Sequence, residues 1–123
     1  MKYMLLIHVN PAVMATLTDE ERSAIGDAHG EFIKTIQESG EMIGTQALGD
    51  PAESTVVSAA GGVPVVTDGP FSEAKEVMGG YYLVDVASKE RAIEIAKAIP
   101  DLKHDGLTSM EVRPVVFSAG TDL

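Results

Sequence analysis

The chain has 123 residues, with 9 Lys or Arg against 19 Asp or Glu, and no cysteine. That length is one ordinary domain, able to bury roughly two-thirds of its unfolded surface in a single core. A net charge of −10 is repelled by phosphate backbones and anionic lipids, which excludes direct nucleic-acid binding and docking on an acidic membrane. Without cysteine there are no disulfides, thiolate metal sites or thiol nucleophiles, a composition compatible with the cytoplasm.

Lys2 to Val9 reads as the first strand, and Asn10-Pro11 breaks it. The apolar run Met4 to Ile7 is too short for a signal peptide or a membrane span. Thr18 and Glu21 have capping-box spacing, and Asp19, Glu20 and Glu21 suit the positive end of a helix dipole. A helix is therefore predicted from Thr18 to the stop at Gly40. Its buried stripe is Ile25, Ala28, Phe32, Ile33 and Ile36. Glu41 to Leu48 is a second strand, weakened by Gly44. Ser54 to Ala59 and Val63 to Thr67 form a hairpin turned through Ala60-Gly61-Gly62, with Pro64 marking an edge. Asp68 to Met78 is a loop with room for one helical turn after Pro70. Gly80 to Val86 is a strand, Ser88 caps a second helix that ends at Pro100, and Met110 to Phe117 is the last strand. Residues after Ser118 read as a frayed tail.

Strand-helix-strand, hairpin, strand-helix-strand is an α+β order without repeat or linker. It predicts one domain, a ferredoxin-like sheet with both helices on one side. Alternation sends Tyr3, Leu5, Ile7, Tyr82 and Val84 toward the helices. The other face mixes Met4, Leu6, Leu83 and Val115 with His8, Tyr81, Asp85, Glu111 and Arg113. A solvated face would hold fewer large apolar groups, so a ligand cavity or a partner sheet is expected there.

The most distinctive string is Thr67-Asp68-Gly69-Pro70-Phe71-Ser72-Glu73-Ala74-Lys75-Glu76. Asp-Gly-Pro makes a tight turn, since Gly tolerates positive φ and Pro fixes its own. Gly69 is isolated and no Gly-Lys-Ser/Thr follows, so this is not a phosphate loop. A turn with a solvated helix behind it accounts for the string by local physics alone. Together with Gly-Gly-Tyr-Tyr-Leu-Val-Asp-Val at 79–86, the opening Met1 to Ile7 and the closing Glu111 to Val115, it resembles the DGPF-motif proteins of the YCII-related family over residues 1 to 117.

The resemblance implies a ferredoxin-like fold and a homodimer whose sheets face each other as an α/β barrel. It also implies a helix-one histidine, matched by His29, paired with an Asp that precedes a Pro after the second helix. Here that place reads Ile99-Pro100, so Asp68 is the substitute candidate. Three functional readings stand side by side. The first is a cofactor-independent lyase or isomerase working by proton transfer, with His29 as acid/base and Asp68 orienting it. The second is a non-catalytic ligand-binding or regulatory protein, linked to sigma factors through protein contacts, since family members often lie beside sigma-factor genes. The third is an interaction module using the DGPF loop. His8, Lys75, Tyr81 and Arg113 are the candidate ligand contacts. Each has a plain alternative as a surface or packing residue, and His29 as a satisfied core histidine. Three scattered histidines do not make a metal site, and neither metal nor cofactor is expected.

Overall fold

The computed structural model describes residues 1–69 and 75–120. Among the described residues six strands and three helices follow in the order β1 (Lys2–Val9), α1 (Pro11–Met14), α2 (Asp19–Glu38), β2 (Met42–Ala47), β3 (Thr55–Ala60), β4 (Val63–Asp68), β5 (Val77–Asp85), α3 (Lys89–Lys97) and β6 (Thr108–Pro114). Short 3₁₀ turns at Pro51–Glu53 and Pro100–Lys103 link them. The class is α+β. Four strands form one antiparallel sheet in the order β2-β5-β1-β6, and β3 and β4 pair only with each other.

Local chemistry explains most boundaries. The capping box of α2 is complete: Thr18 Oγ1 accepts from the Glu21 amide at 3.1 Å, and Glu21 carboxylate accepts from the Thr18 amide at 2.9 Å. Such a cap is worth about 1 kcal/mol. Asn10-Pro11 ends β1 as expected but also begins α1. Asn10 Oδ1 accepts from the Ala12 amide, and Pro11 occupies the first helical position, where a missing N–H costs nothing. The last strand is shifted relative to the expected 110–117. Val9 pairs with Thr108, which starts β6 early, and Tyr3 pairs with Pro114. Val115 donates once more to Lys2. Beyond it β1 offers no partner, so Val116 and Phe117 lie 98% and 80% exposed.

Alternation along the central strands builds the core. Tyr3, Leu5 and Ile7 of β1 and Tyr82 and Val84 of β5 are buried together with Phe32 and Ile36 of α2 and Ala92, Ile95 and Ala96 of α3. Both long helices therefore pack on the same face of the sheet. Full burial of the Leu, Ile, Val and Phe side chains among them contributes about 1.5–3 kcal/mol each. Ile99 and Leu107 close the core at the α3–β6 connection.

One irregularity shapes the site. Ile7 pairs with Gly80 but His8 pairs with Met78, so Gly79 is a bulged residue in β5. Neither Gly79 nor Gly80 can carry a side chain in place. A Cβ on Gly79 would stand 2.7 Å from Val9 Cγ2, and one on Gly80 2.6 Å from the Gln46 carbonyl oxygen. At Gly80 the β5 and β2 backbones approach closely, and at Gly79 β5 lies against the Val9 side chain.

Candidate active site

Helix α2 presents His29 to the sheet, four residues after Ile25 and three before Phe32. Both ring nitrogens are engaged. Nδ1 lies 2.6 Å from the Tyr82 hydroxyl, and Nε2 meets Asp101 Oδ1 in a short hydrogen bond. The carboxylate can only accept, so in the neutral imidazole Nε2–H donates to Asp101 and Nδ1 accepts from the Tyr82 O–H. The imidazole and phenol rings are nearly parallel, at 7° with centroids 5.9 Å apart, and Phe32 packs edge-on against Tyr82 at 5.0 Å. These contacts fix the orientation of Asp101, His29 and Tyr82 as a linear chain of hydrogen bonds.

Asp101 is 7% exposed, the one buried charged residue among those described. It sits in the 3₁₀ turn that Pro100 opens, a segment that packs against α2. Burial of an unpaired carboxylate would be costly, and the histidine N–H supplies the compensation. The Tyr82 hydroxyl is pushed up to about 12, first by burial and then by the negative charge of Asp101. Its proton stays in place at neutral pH, available for donation.

The three side chains line a cavity of about 670 Å³ on the helix side of the sheet. Its floor is Ile7, Val9, Gly79, Gly80 and Tyr82, and its sides come from Met14 and Ala15, from His29 and Ile33, and from the end of β2 and the chain after it, Ala47 to Pro51. The walls are largely apolar, the usual character of a small-molecule site.

Several expectations require correction. His29 is hydrogen-bonded to Asp101, not to Asp68. Asp68 pairs with Thr55 at the base of the β3–β4 hairpin and is exposed, while both nitrogens of His29 are already taken. The cavity lies on the helix side of the sheet, and the opposite face, expected to meet a ligand or a partner sheet, is open in the single chain. His8, Tyr81 and Arg113 do share that opposite face, but as a surface cluster. His8 Nε2 is 2.9 Å from Glu111, and Arg113 Nε donates to the same carboxylate at 2.7 Å. The His8 bond, then the Arg113 bond, lowers the Glu111 carboxyl from its ordinary value. Tyr81 neighbours this cluster through Leu6, its cross-strand partner. Lys75 is exposed and lines no part of the cavity. Phe71, Glu73 and the helical turn expected after Pro70 lie outside the described residues.

Sequence reasoning missed Tyr82 and Asp101. Tyr82 was legible as a core-facing strand residue, and its hydroxyl could have been asked for a partner, since a buried phenol needs one. Asp101 stands one residue after Pro100 instead of before it. Reading Pro100 as the first position of a new turn, instead of a stop, would have brought Asp101 into consideration.

Among the described residues no three His, Asp or Glu side chains cluster as metal ligands, and no helix is long and apolar enough to cross a membrane.

Fold and site together define an α+β protein with a part-buried Asp–His–Tyr chain at the wall of an apolar cavity. The chain belongs to the YCII-related family, whose domain matches residues 1–116. It is also similar to an uncharacterised protein of Rhizobium meliloti (strain 1021), 27% identical over 117 residues, which cover 95% of this chain and 94% of that one.

Proposed function

We propose that this protein acts on a small organic molecule in the cavity by cofactor-independent proton transfer, as in an elimination or isomerisation. The observation that carries this reading is the placement of His29 between Asp101 and Tyr82 at the cavity wall. An imidazole is suited to acid/base work near neutrality, and it requires a contact of hydrogen-bond length. Because both nitrogens are engaged, His29 works through the Tyr82 hydroxyl. The phenol oxygen takes a proton from a substrate carbon while its own proton passes to His29 Nδ1. The Asp101 carboxylate stabilises the imidazolium and does not itself become protonated, the division of labour of a nucleophile–His–Asp triad. In an isomerisation the proton returns to a different atom. In an elimination the electron pair of the broken C–H bond forms the new π bond, and the leaving group departs with its own pair.

The same proposal includes a ferredoxin-like sandwich that pairs as a homodimer, sheet against sheet, in the cytoplasm. Support comes from the open sheet face, where Met4, Leu6, Tyr81 and Leu83 stand beyond the reach of both long helices, and from the exposed Val57, Val66 and Phe117.

The test is solvent exchange. A panel of small oxo acids and oxo esters is incubated with the protein in D₂O, and loss of carbon-bound protons is followed by NMR. Exchange that disappears in His29→Gln and Tyr82→Phe supports the proposal. Binding of the same compounds without exchange, equal in wild type and both variants, would instead indicate a non-catalytic ligand-binding protein.

A further inference from the structure

The cavity has a cation that the proton-transfer chain does not use. Arg22 lies on α2 seven residues before His29, and Arg22, His29 and Ile33 all line the cavity. The spacing i, i+7, i+11 puts them on one stripe of the helix. Two turns separate Arg22 from His29, about 10 Å along the axis. Gly26, between them on the same stripe, puts no side chain there, and a Cβ built on it would meet nothing within 4 Å.

Arg22 is held but not neutralised by a close carboxylate. One of its terminal nitrogens donates to the Met14 carbonyl at 3.0 Å, which ties the guanidinium to the end of α1. The nearest carboxylate, Asp19, is 3.9 Å away on a fully exposed side chain, a loose surface pair of little energetic weight. The other charged groups at the cavity are carboxylates with their own partners. Asp101 is bonded to His29, and Asp50 accepts from the Ala52 amide. Arg22 is thus the one cation lining the cavity among the described residues, in a chain of net charge −10. The lining beside it at the end of α1, Met14 and Ala15, has apolar side chains.

We propose that Arg22 makes this cavity a site for small organic acids, binding the carboxylate while the apolar body of the ligand runs along α2 toward Tyr82 and His29. The planar guanidinium fork matches a carboxylate in two parallel hydrogen bonds. A single cation balances a monocarboxylate, whereas a phosphate dianion would leave one charge uncompensated beside Asp50 and Asp101. This inference rests on the cavity being the working site and adds the chemical class of its substrate. Arg22 anchors the end of the ligand that does not react.

The experiment compares acids with their neutral amides, using hexanoate against hexanamide and 4-phenylbutyrate against 4-phenylbutyramide. Binding to the full chain is measured by NMR titration, with the Arg22 Nε–H signal as a site-specific probe. With Arg22 about half exposed, a charge-assisted pair predicts that wild type prefers each acid by about 2- to 10-fold, less at high salt. Arg22→Gln removes the preference, so that acid and amide bind alike. Arg22→Lys keeps part of it, because the charge stays and the fork is lost. Acids no better than amides, a preference that persists in Arg22→Gln, or displacement of hexanoate by equal concentrations of inorganic phosphate would each overturn the proposal. The outcome separates from that of the acid/base reading. His29→Gln should keep the acid preference, so an Arg22-dependent preference without His29-dependent exchange would leave the anion site standing and sink the proton-transfer chemistry.

Discussion

Asp101→Asn isolates what the carboxylate contributes to the site. The amide has nearly the same shape, and its oxygen can still accept from His29 Nε2–H. What changes is the charge. A hydrogen bond to an ionised group is worth about 1.5–3 kcal/mol and a neutral one about 0.5–1.5, so the variant loses roughly 1–1.5 kcal/mol from this contact. Against that, Asp101 is 7% exposed, and neutralising a buried carboxylate relieves part of a desolvation penalty of several kcal/mol. The two effects oppose each other, and folding stability is expected within about 1 kcal/mol of wild type. Turnover should behave differently. Without the negative charge the imidazolium that forms during proton transfer is unsupported, and general acid/base contributions are worth roughly 10²- to 10⁴-fold, or about 3–5 kcal/mol of barrier. Urea denaturation followed by circular dichroism gives the first quantity, and carbon-acid exchange in D₂O the second. A stability loss above about 3 kcal/mol with exchange undiminished would show that Asp101 serves only to hold α2 against the turn after α3, and the mechanistic reasoning would fail.

Gly80→Ala should destabilise by about 1–3 kcal/mol in urea titration, because its Cβ would stand 2.6 Å from the Gln46 carbonyl and force β2 from β5; a neutral change would refute the close backbone approach. The Glu41 carboxyl is lowered to about 2, mainly by its hydrogen bonds from Arg91 at 2.7 and 2.8 Å. A depressed acid contributes stability above its ordinary value of 4.5 that is lost as pH falls toward 2. With Arg91 nearly half exposed the contribution is on the order of 1 kcal/mol, and the gap between wild type and Glu41→Gln should close between pH 6 and pH 2. Light scattering at micromolar concentration should show a dimer that Leu83→Asp weakens more than Ser118→Asp, since only Leu83 lies on the open sheet face; a monomer in wild type would end the dimer proposal.

The sequence by itself determined most of the elements, α1 and the bounds of β6 excepted, and the inward faces of β1 and β5. Strand alternation in β1 and β5, the Thr18–Glu21 box and the Gly61-Gly62 turn depend on interactions within a few residues, and these are legible in one dimension. It also singled out His29, whose place beside the apolar stripe of α2 is a local property. The partners of His29 were decided only by tertiary structure. Tyr82 stands 53 residues away and Asp101 72 residues away. What brings them together is the antiparallel placement of β5 beside β1 under α2, and the turn after α3 folding back on that helix. Burial strengthens each of these hydrogen bonds by lowering the surrounding dielectric, and burial is a property of the packed layers that no short segment carries. The side on which the cavity opened was settled in the same way. Composition counted the apolar residues of both sheet faces, but the cavity is assembled from Gly79 and Gly80 of β5, the end of α1 and His29 and Ile33 of α2, which only the packed layers bring together.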